Sequence, residues 1–408
     1  MMNLVMRSLE NEFRNGDNIV TTLLEHNSNY VPWYALQNIL ARRGIDIELR
    51  VAGFDPLTGE LDIDQLASMV DSKTKLVTTT GASNFLGYKP DLNRIGDIAH
   101  SSGYQQPRLD SFRGSYFLVD GAQLVPGTPV DVQKINCDFL AWSFHKMGLP
   151  LGVGGLYGKK EVLESMDPFL YGGDMISDVK LGKVEYNDLP WKFTAGTPNI
   201  LGIAATGRGI SYMINMGLGN LFIKGKISEP ERIAKEGRQL VTDILMNTPR
   251  GDFEITKQLT DAENNLYDQF EEIDPDRLEV FDDANERLMA TRSVVTEAMT
   301  NIMQHEEKLT QAAIDSLSKI PGVKLYGPRN AEQRSGLIAF SLEGMQHQNL
   351  AFELNRKGIE ARNGTHCASL AHEALELDGT VRLSFYVYNS MDEVEKAVAA
   401  VDEIAKGR

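Results

Sequence analysis

With 408 residues the chain is too long for one simple core and implies two or three domains, and 42% hydrophobic with 24% charged residues is ordinary for a globular protein. A formal net charge of −16 argues against nucleic acid or an anionic membrane as main partner, since both demand basic surface; a small anionic ligand needs only a few local cations. Two cysteines, Cys137 and Cys367, cannot build a disulfide framework, and no apolar run reaches bilayer-spanning length, so a reducing, cytoplasmic setting is expected.

In chain order, residues 1–18 read as an amphipathic helix and 19–24 as a buried strand. A helix over 32–43 starts at Pro32 and stops at Gly44. Strands at 47–51, 75–80, 116–119, 139–142 and 154–157 then alternate with helices at 64–70 and 92–101. This alternation predicts an α/β domain around a mostly parallel sheet, where ligands collect beyond the carboxyl ends of the strands. His26, Asn84, Asp120 and Lys146 each follow such a strand and are expected to converge on one crevice.

Residues 222–300 change character: Glu and Asp accumulate, most densely over 271–283, and the pattern predicts a charged helical insertion. A helix at 302–319, a strand at 336–342, a helix at 348–357 and a strand at 381–386 follow. Ser390 and Glu393 form a capping box for a last helix whose apolar stripe holds Val394, Val398 and Val401. The expected division is a large domain over 1–221, the insertion over 222–300 and a smaller α+β domain over 301–408.

Four elements carry chemistry. Lys146, after an apolar strand and before a glycine-rich turn, can form a Schiff base with an aldehyde cofactor, although a lone lysine there is ordinarily a surface charge. Asp120 can keep a cofactor ring nitrogen protonated; standing alone it reads as a turn cap. His26 can stack on a ring and move a proton; standing alone it is a satisfied structural histidine. Cys367, preceded by Arg362 and His366 and followed by Arg382, sits where the field is expected to favour a thiolate, and arginine suits a substrate carboxylate. Cys137, at the start of an apolar strand, reads as a packing residue.

Taken together, Glu25-His26, Ser83-Asn84, Asp120-Gly121-Ala122-Gln123, Ser143-x-His145-Lys146, Ala195-Gly196-Thr197-Pro198-Asn199 and Arg362-x-Gly364-Thr365-His366-Cys367 resemble the cysteine desulfurases of the class V aminotransferases, group II branch. The resemblance implies fold type I with pyridoxal phosphate (PLP) as cofactor and L-cysteine as substrate. Alanine and a Cys367 persulfide are then the products, with a sulfur-acceptor protein as partner in iron–sulfur cluster assembly. It further implies that Lys146 binds the cofactor, His26 stacks on it, Asp120 pairs its ring nitrogen, and Asn84 and Gln123 touch its phenolic oxygen. Ser143 and His145 hold the phosphate, Arg382 with Arg362 binds the substrate carboxylate, and Thr197 and the Gly172-Gly173-Asp174 loop reach a neighbouring subunit of a homodimer. Selenocysteine lyase, aminotransferase and epimerase activities, or an inactive remnant acting as a partner subunit, are the competing readings.

The chain also departs from that family. Members carry a further stretch before the point matching Met1, with a Gly-Thr-Thr-like turn for the phosphate, so an N-terminally incomplete large domain is expected. Phe144 replaces a glycine beside the lysine, Thr194 replaces a glutamate, and both 222–300 and a shorter stretch around 104–115 have no counterpart there.

Overall fold

The computed structural model describes residues 1–149, 152–221 and 284–407. The chain divides into two compact units, Met1–Ser211 with Ile302–Arg408, and Tyr212–Asn301. Most of the expected acidic insertion, residues 222–283, lies outside the described residues; 284–300 belong to the helix Ala284–Leu317.

Six strands form the main sheet: β1 (Asn18–Thr22), β2 (Glu48–Ala52), β3 (Thr74–Thr80), β4 (Tyr116–Asp120), β5 (Phe139–Ser143) and β6 (Gly154–Gly158), in the order β2-β1-β3-β4-β5-β6. All pairs are parallel except β5–β6. Successive residues feed opposite faces. Ile19, Leu76, Tyr116 and Leu118 join a core with Trp33, Leu36 and Leu40, while Val20, Val77, Phe117 and Val119 join Leu66, Ile95 and Ala99. Helices on both faces bury the sheet from each side, which is why its central strands have no exposed face. The expected α/β fold with a mostly parallel sheet is what forms.

The first helix is shorter than its amphipathic pattern suggested, running only over Met2–Leu9 before a 3₁₀ turn at Glu10–Glu12. The chain turns there because Glu12 and Phe13 are needed elsewhere. Lys75, fully buried on β3, donates to Glu12 at 3.2 Å and to Gln106 at 3.1 Å, and lies over the rings of Phe13, Tyr104 and Tyr116 at 5.4–5.7 Å.

The smaller sheet is antiparallel, order β11-β12-β10-β9, from β9 (Val323–Tyr326), β10 (Leu337–Leu342), β11 (Arg362–Gly364) and β12 (Thr380–Ser384). Helices His347–Arg356 and Met391–Lys406 pack Leu350, Leu354, Val394 and Val401 against its Ile338, Phe340, Val381 and Leu383. The Ser390–Glu393 capping box forms as expected. One hairpin escaped the pattern: β7 (Ile176–Lys180) and β8 (Lys183–Tyr186) are largely exposed, so no core-facing alternation marks them.

Glu306, on the helix Ala284–Leu317, is buried where Gly127 and Gly336 leave room for its carboxyl. Burial raises its pKa to about 8, against the opposing backbone hydrogen bond from Gly336. The folded state therefore keeps a proton that the unfolded chain loses above its ordinary carboxylate range, so stability falls as pH rises towards about 8. Glu306→Gln should flatten the fall in thermal midpoint over that window; Glu25, raised to about 8 by its own burial, leaves part of the slope. Identical slopes in variant and parent would contradict the assignment.

Candidate active site

Strand pairing places Thr80, Asp120 and Ala141 in one row at the carboxyl edge of β3, β4 and β5. Asp120 is buried there, and its Oδ1 accepts the Ala122 amide at 3.0 Å. Burial raises its pKa, opposed by that hydrogen bond and by Lys146 and His26. One strand over, β5 runs into a 3₁₀ turn, Phe144–Met147, which closes on Gly148 in the left-handed region. Lys146 Nζ reaches back from this turn to donate to Gln123 Oε1 at 3.3 Å. Burial lowers its pKa, Asp120 opposes, and Arg382 and Arg362 add to the lowering, so the amine is biased towards its nucleophilic, neutral form.

His26 follows β1, and its Nδ1 accepts the Ser28 amide at 3.1 Å, which leaves the proton on Nε2. Burial lowers its pKa; Asp120 opposes. Beneath it Glu25 is buried and accepts from Thr22 Oγ1 at 2.6 Å, Asn29 Nδ2 at 2.6 Å and the Thr80 amide at 2.9 Å.

The Cys367 loop comes from the smaller sheet. Gly364, His366 and Cys367 all have positive φ, 102°, 54° and 59°, a conformation that two non-glycine residues hold only when their surroundings impose it. Asn84 Nδ2 donates to the His366 carbonyl at 2.6 Å, and the Asn27 amide donates to the Cys367 carbonyl at 2.7 Å. Arg362 Nη2 lies 3.4 Å from Cys367 Sγ. Arg362 faces Arg382 across β11 and β12, and Arg382 Nη1 donates to the Asn84 carbonyl at 2.6 Å. Burial lowers the Arg382 pKa to about 10, with Arg362 acting in the same sense. Three buried polar atoms here lack a protein partner, Asn84 Oδ1, Arg382 Nε and His366 Nδ1.

His366 does not supply the positive charge that its position beside Cys367 suggested. The ring is 2% exposed, its Nε2 lies 2.9 Å from Thr380 Oγ1, and its Nδ1 is buried without a partner. Burial pushes its pKa down to about 3, so the ring is neutral and the cation beside the sulfur is Arg362. Nitrogen-detected NMR should show His366 failing to titrate between pH about 5 and 8, where an ordinary imidazole changes charge. A midpoint in that interval would restore the charged reading.

The expected residues are not all equally placed. Lys146, Gln123, Asp120, His26, Asn84, Arg362, Arg382 and Cys367 form one linked group through these contacts and mutual fields. Ser143 and His145 flank Lys146, with His145 exposed. Thr197 is exposed on a separate loop, tied to the Gly172-Gly173-Asp174 loop by the Gly196 amide donating to the Gly173 carbonyl at 2.8 Å. Phe144 packs edge-to-face on Trp142 with ring centroids 5.7 Å apart. Cys137 is fully buried, and burial pushes its thiol up to about 12, consistent with a packing role. Sequence reasoning missed Asn27 and Thr380, whose part is visible only once distant strands are paired.

The sequence pattern of the family described as aminotransferase class-V matches residues 1–227 and 290–397. A cysteine desulfurase of Haloferax volcanii is 30% identical over 387 residues, spanning 95% of this chain and 68% of that protein. A probable cysteine desulfurase of Halobacterium salinarum is 32% identical over 395 residues, spanning 96% and 71%. Among solved structures, the apo cysteine desulfurase of Thermococcus onnurineus NA1 superposes with a TM-score of 0.72 at 28% identity, covering 100% of this chain and 77% of that one. The Escherichia coli cysteine desulfurase CsdA, in its S-sulfonic acid form, gives 0.70 at 25% identity, covering 99% and 76%.

Proposed function

The chain belongs to the class V aminotransferase family, and from that premise we propose that it is a PLP-dependent cysteine desulfurase, acting on L-cysteine and carrying the sulfur on Cys367. The residues present suit the cofactor. A buried carboxylate, an amine lowered by burial and an unpartnered Asn84 Oδ1 stand together, which is costly polarity for a site meant to stay empty. When bound, PLP supplies an electron sink for the substrate α-carbon. Lys146 Nζ would hold its aldehyde carbon, Asp120 its ring nitrogen, His26 the ring face, Asn84 and Gln123 its phenolic oxygen, and Ser143 and His145 its phosphate.

The observation that carries the reading is the thiol. Arg362 Nη2 on Cys367 Sγ, with Arg382 behind it, puts a cation beside the sulfur and a carboxylate fork within the same pair of strands. Aminotransferases and epimerases need the lysine and no thiol. Lys146 Nζ removes and returns the α-proton. Cys367 Sγ, having given up its proton, attacks the substrate sulfur; the new S–S bond forms as the carbon–sulfur bond breaks, that electron pair stays with the carbon, and a proton equal to the one the thiol lost makes it the alanine methyl. The persulfide then passes to an acceptor protein, the step that serves iron–sulfur cluster assembly, in a cytoplasmic setting. Selenocysteine offers the same geometry to the thiol.

The same reading makes the protein a homodimer. Tyr171, Val179, Leu181, Val184 and Trp191 are all more than half exposed along the stretch that also carries Thr197. That much apolar surface on one stretch asks for a protein partner, and a second copy would bring Thr197 to its neighbour's phosphate site.

The deciding experiment is the visible spectrum of the purified chain with PLP, followed by L-cysteine and assays for sulfide and alanine. A yellow band lost in Lys146→Ala, with alanine formation falling by a factor of about 100 or more in Cys367→Ala, is expected, the size of loss that removal of a nucleophile or general base produces. Full alanine yield from Cys367→Ala would sink the desulfurase reading. In sedimentation, the parent should run as a dimer and Leu181→Asp/Trp191→Asp as a monomer; a monomeric parent refutes the dimer.

A further inference from the structure

We propose that Asn27 is a positioning residue that fixes the Cys367 thiol relative to His26, by clasping the cysteine loop of the smaller sheet to the turn that follows β1. Asn27 spends its backbone amide and both polar atoms of its side chain on that loop. Its amide donates to the Cys367 carbonyl at 2.7 Å, its Nδ2 donates to Ser369 Oγ at 3.2 Å, and its Oδ1 accepts the Ser369 amide at 3.3 Å.

Each end of the clasp explains why it is needed. Ser369 opens the short helix Ser369–Ala374, whose N-cap, Ala368, has no side-chain oxygen to satisfy the first amides. Asn27, 342 residues away in sequence, does that work instead. Cys367 and His366 both sit at positive φ, and a loop of non-glycine residues in that region relaxes unless it is held from outside. The Asn84 bond to the His366 carbonyl holds one side; Asn27 holds the other.

The anchor itself is stiff. Asn27 lies in the 3₁₀ turn Asn27–Asn29, pinned from below by the three donors that meet Glu25. Asn29 Oδ1 in turn accepts Trp33 Nε1 at 3.2 Å and Thr78 Oγ1 at 2.8 Å, which fixes the sense of its amide and so its bond to Glu25. His26, one residue earlier, is carried on the same turn. Asn27 thus ties the turn that carries the ring directly to the loop that carries the thiol, and misplacing a nucleophile by about 1 Å costs on the order of 100-fold in rate.

This inference rests on the desulfurase reading for its kinetic consequence; the clasp itself is read from the thiol. In the cofactor-loaded full chain, Asn27→Ala should lower alanine formation about tenfold or more, the weight of two ordinary hydrogen bonds. The KM for L-cysteine and the yellow band should stay near the parent's, and the thermal midpoint should fall by no more than about 4 °C, the weight of those two bonds in a chain of this size. Asn27→Asp should restore turnover to within about threefold, since its two carboxylate oxygens accept the Ser369 amide and hydroxyl separately. Alkylation of Cys367 by iodoacetamide, with Cys137 fully buried, should change several-fold in Asn27→Ala and return in Asn27→Asp.

Parent-like turnover and alkylation in Asn27→Ala would overturn the proposal. So would loss of the cofactor band in step with turnover, or an Asn27→Asp variant as impaired as the alanine one. Should the parent make no alanine at all, the desulfurase reading falls, and the alkylation series alone decides whether the clasp exists.

Discussion

One row of strand pairing, Thr80 to Asp120 to Ala141, fixes the edge at which the large sheet presents its reactive groups. Because β3, β4 and β5 run parallel, their following turns share one edge, and the Gly81 and Gly121 amides bond across that row to the Asp120 and Ala141 carbonyls at 2.8 Å. Slipping β4 by one residue would turn Asp120 to the other face and fill its place with an apolar side chain. The carboxyl is thus placed by the sheet, and the lysine and histidine by turns that the sheet launches.

Charge then organises what topology assembles. Lys146, Arg362 and Arg382 crowd one small volume with Asp120 and Cys367 as the acidic counterparts. Burial depresses the lysine and raises the aspartate, so each is displaced towards its neutral form. A ligand bringing both a basic ring nitrogen and an anionic carboxylate would relieve both displacements together, one group meeting Asp120 and the other the arginines.

Much of this was legible in the residues. The central strands announced themselves as short β-branched and apolar runs between turn signals, and their observed bounds differ from expectation by a residue or two. Asp120 and Lys146 stood out through their places after strands. Other features depend on burial, which a local pattern does not report. His366 beside Cys367 looked like a charge donor, yet the ring is enclosed by Phe85, His372 and Thr380 and stays neutral. The first helix ended early because Glu12 answers a lysine on β3, 63 residues on. The β7–β8 hairpin carries apolar residues outwards, so its periodicity points to no core among the described residues.

The buried Lys75 gives the 104–115 stretch a significance that its local pattern does not disclose. Gln106 and the Tyr104 ring stand around an ammonium with no exposure, and Tyr104 Oη is itself donated to Asp17 at 2.8 Å. Excising the stretch would leave Glu12 as ion-pair partner but strip the ammonium of Gln106 and the Tyr104 ring, a loss of about 1–3 kcal/mol for a buried donor left unsatisfied. Lysine and loop are therefore mutually dependent: with the loop gone, an apolar residue at position 75 would suit the interior better than a lysine.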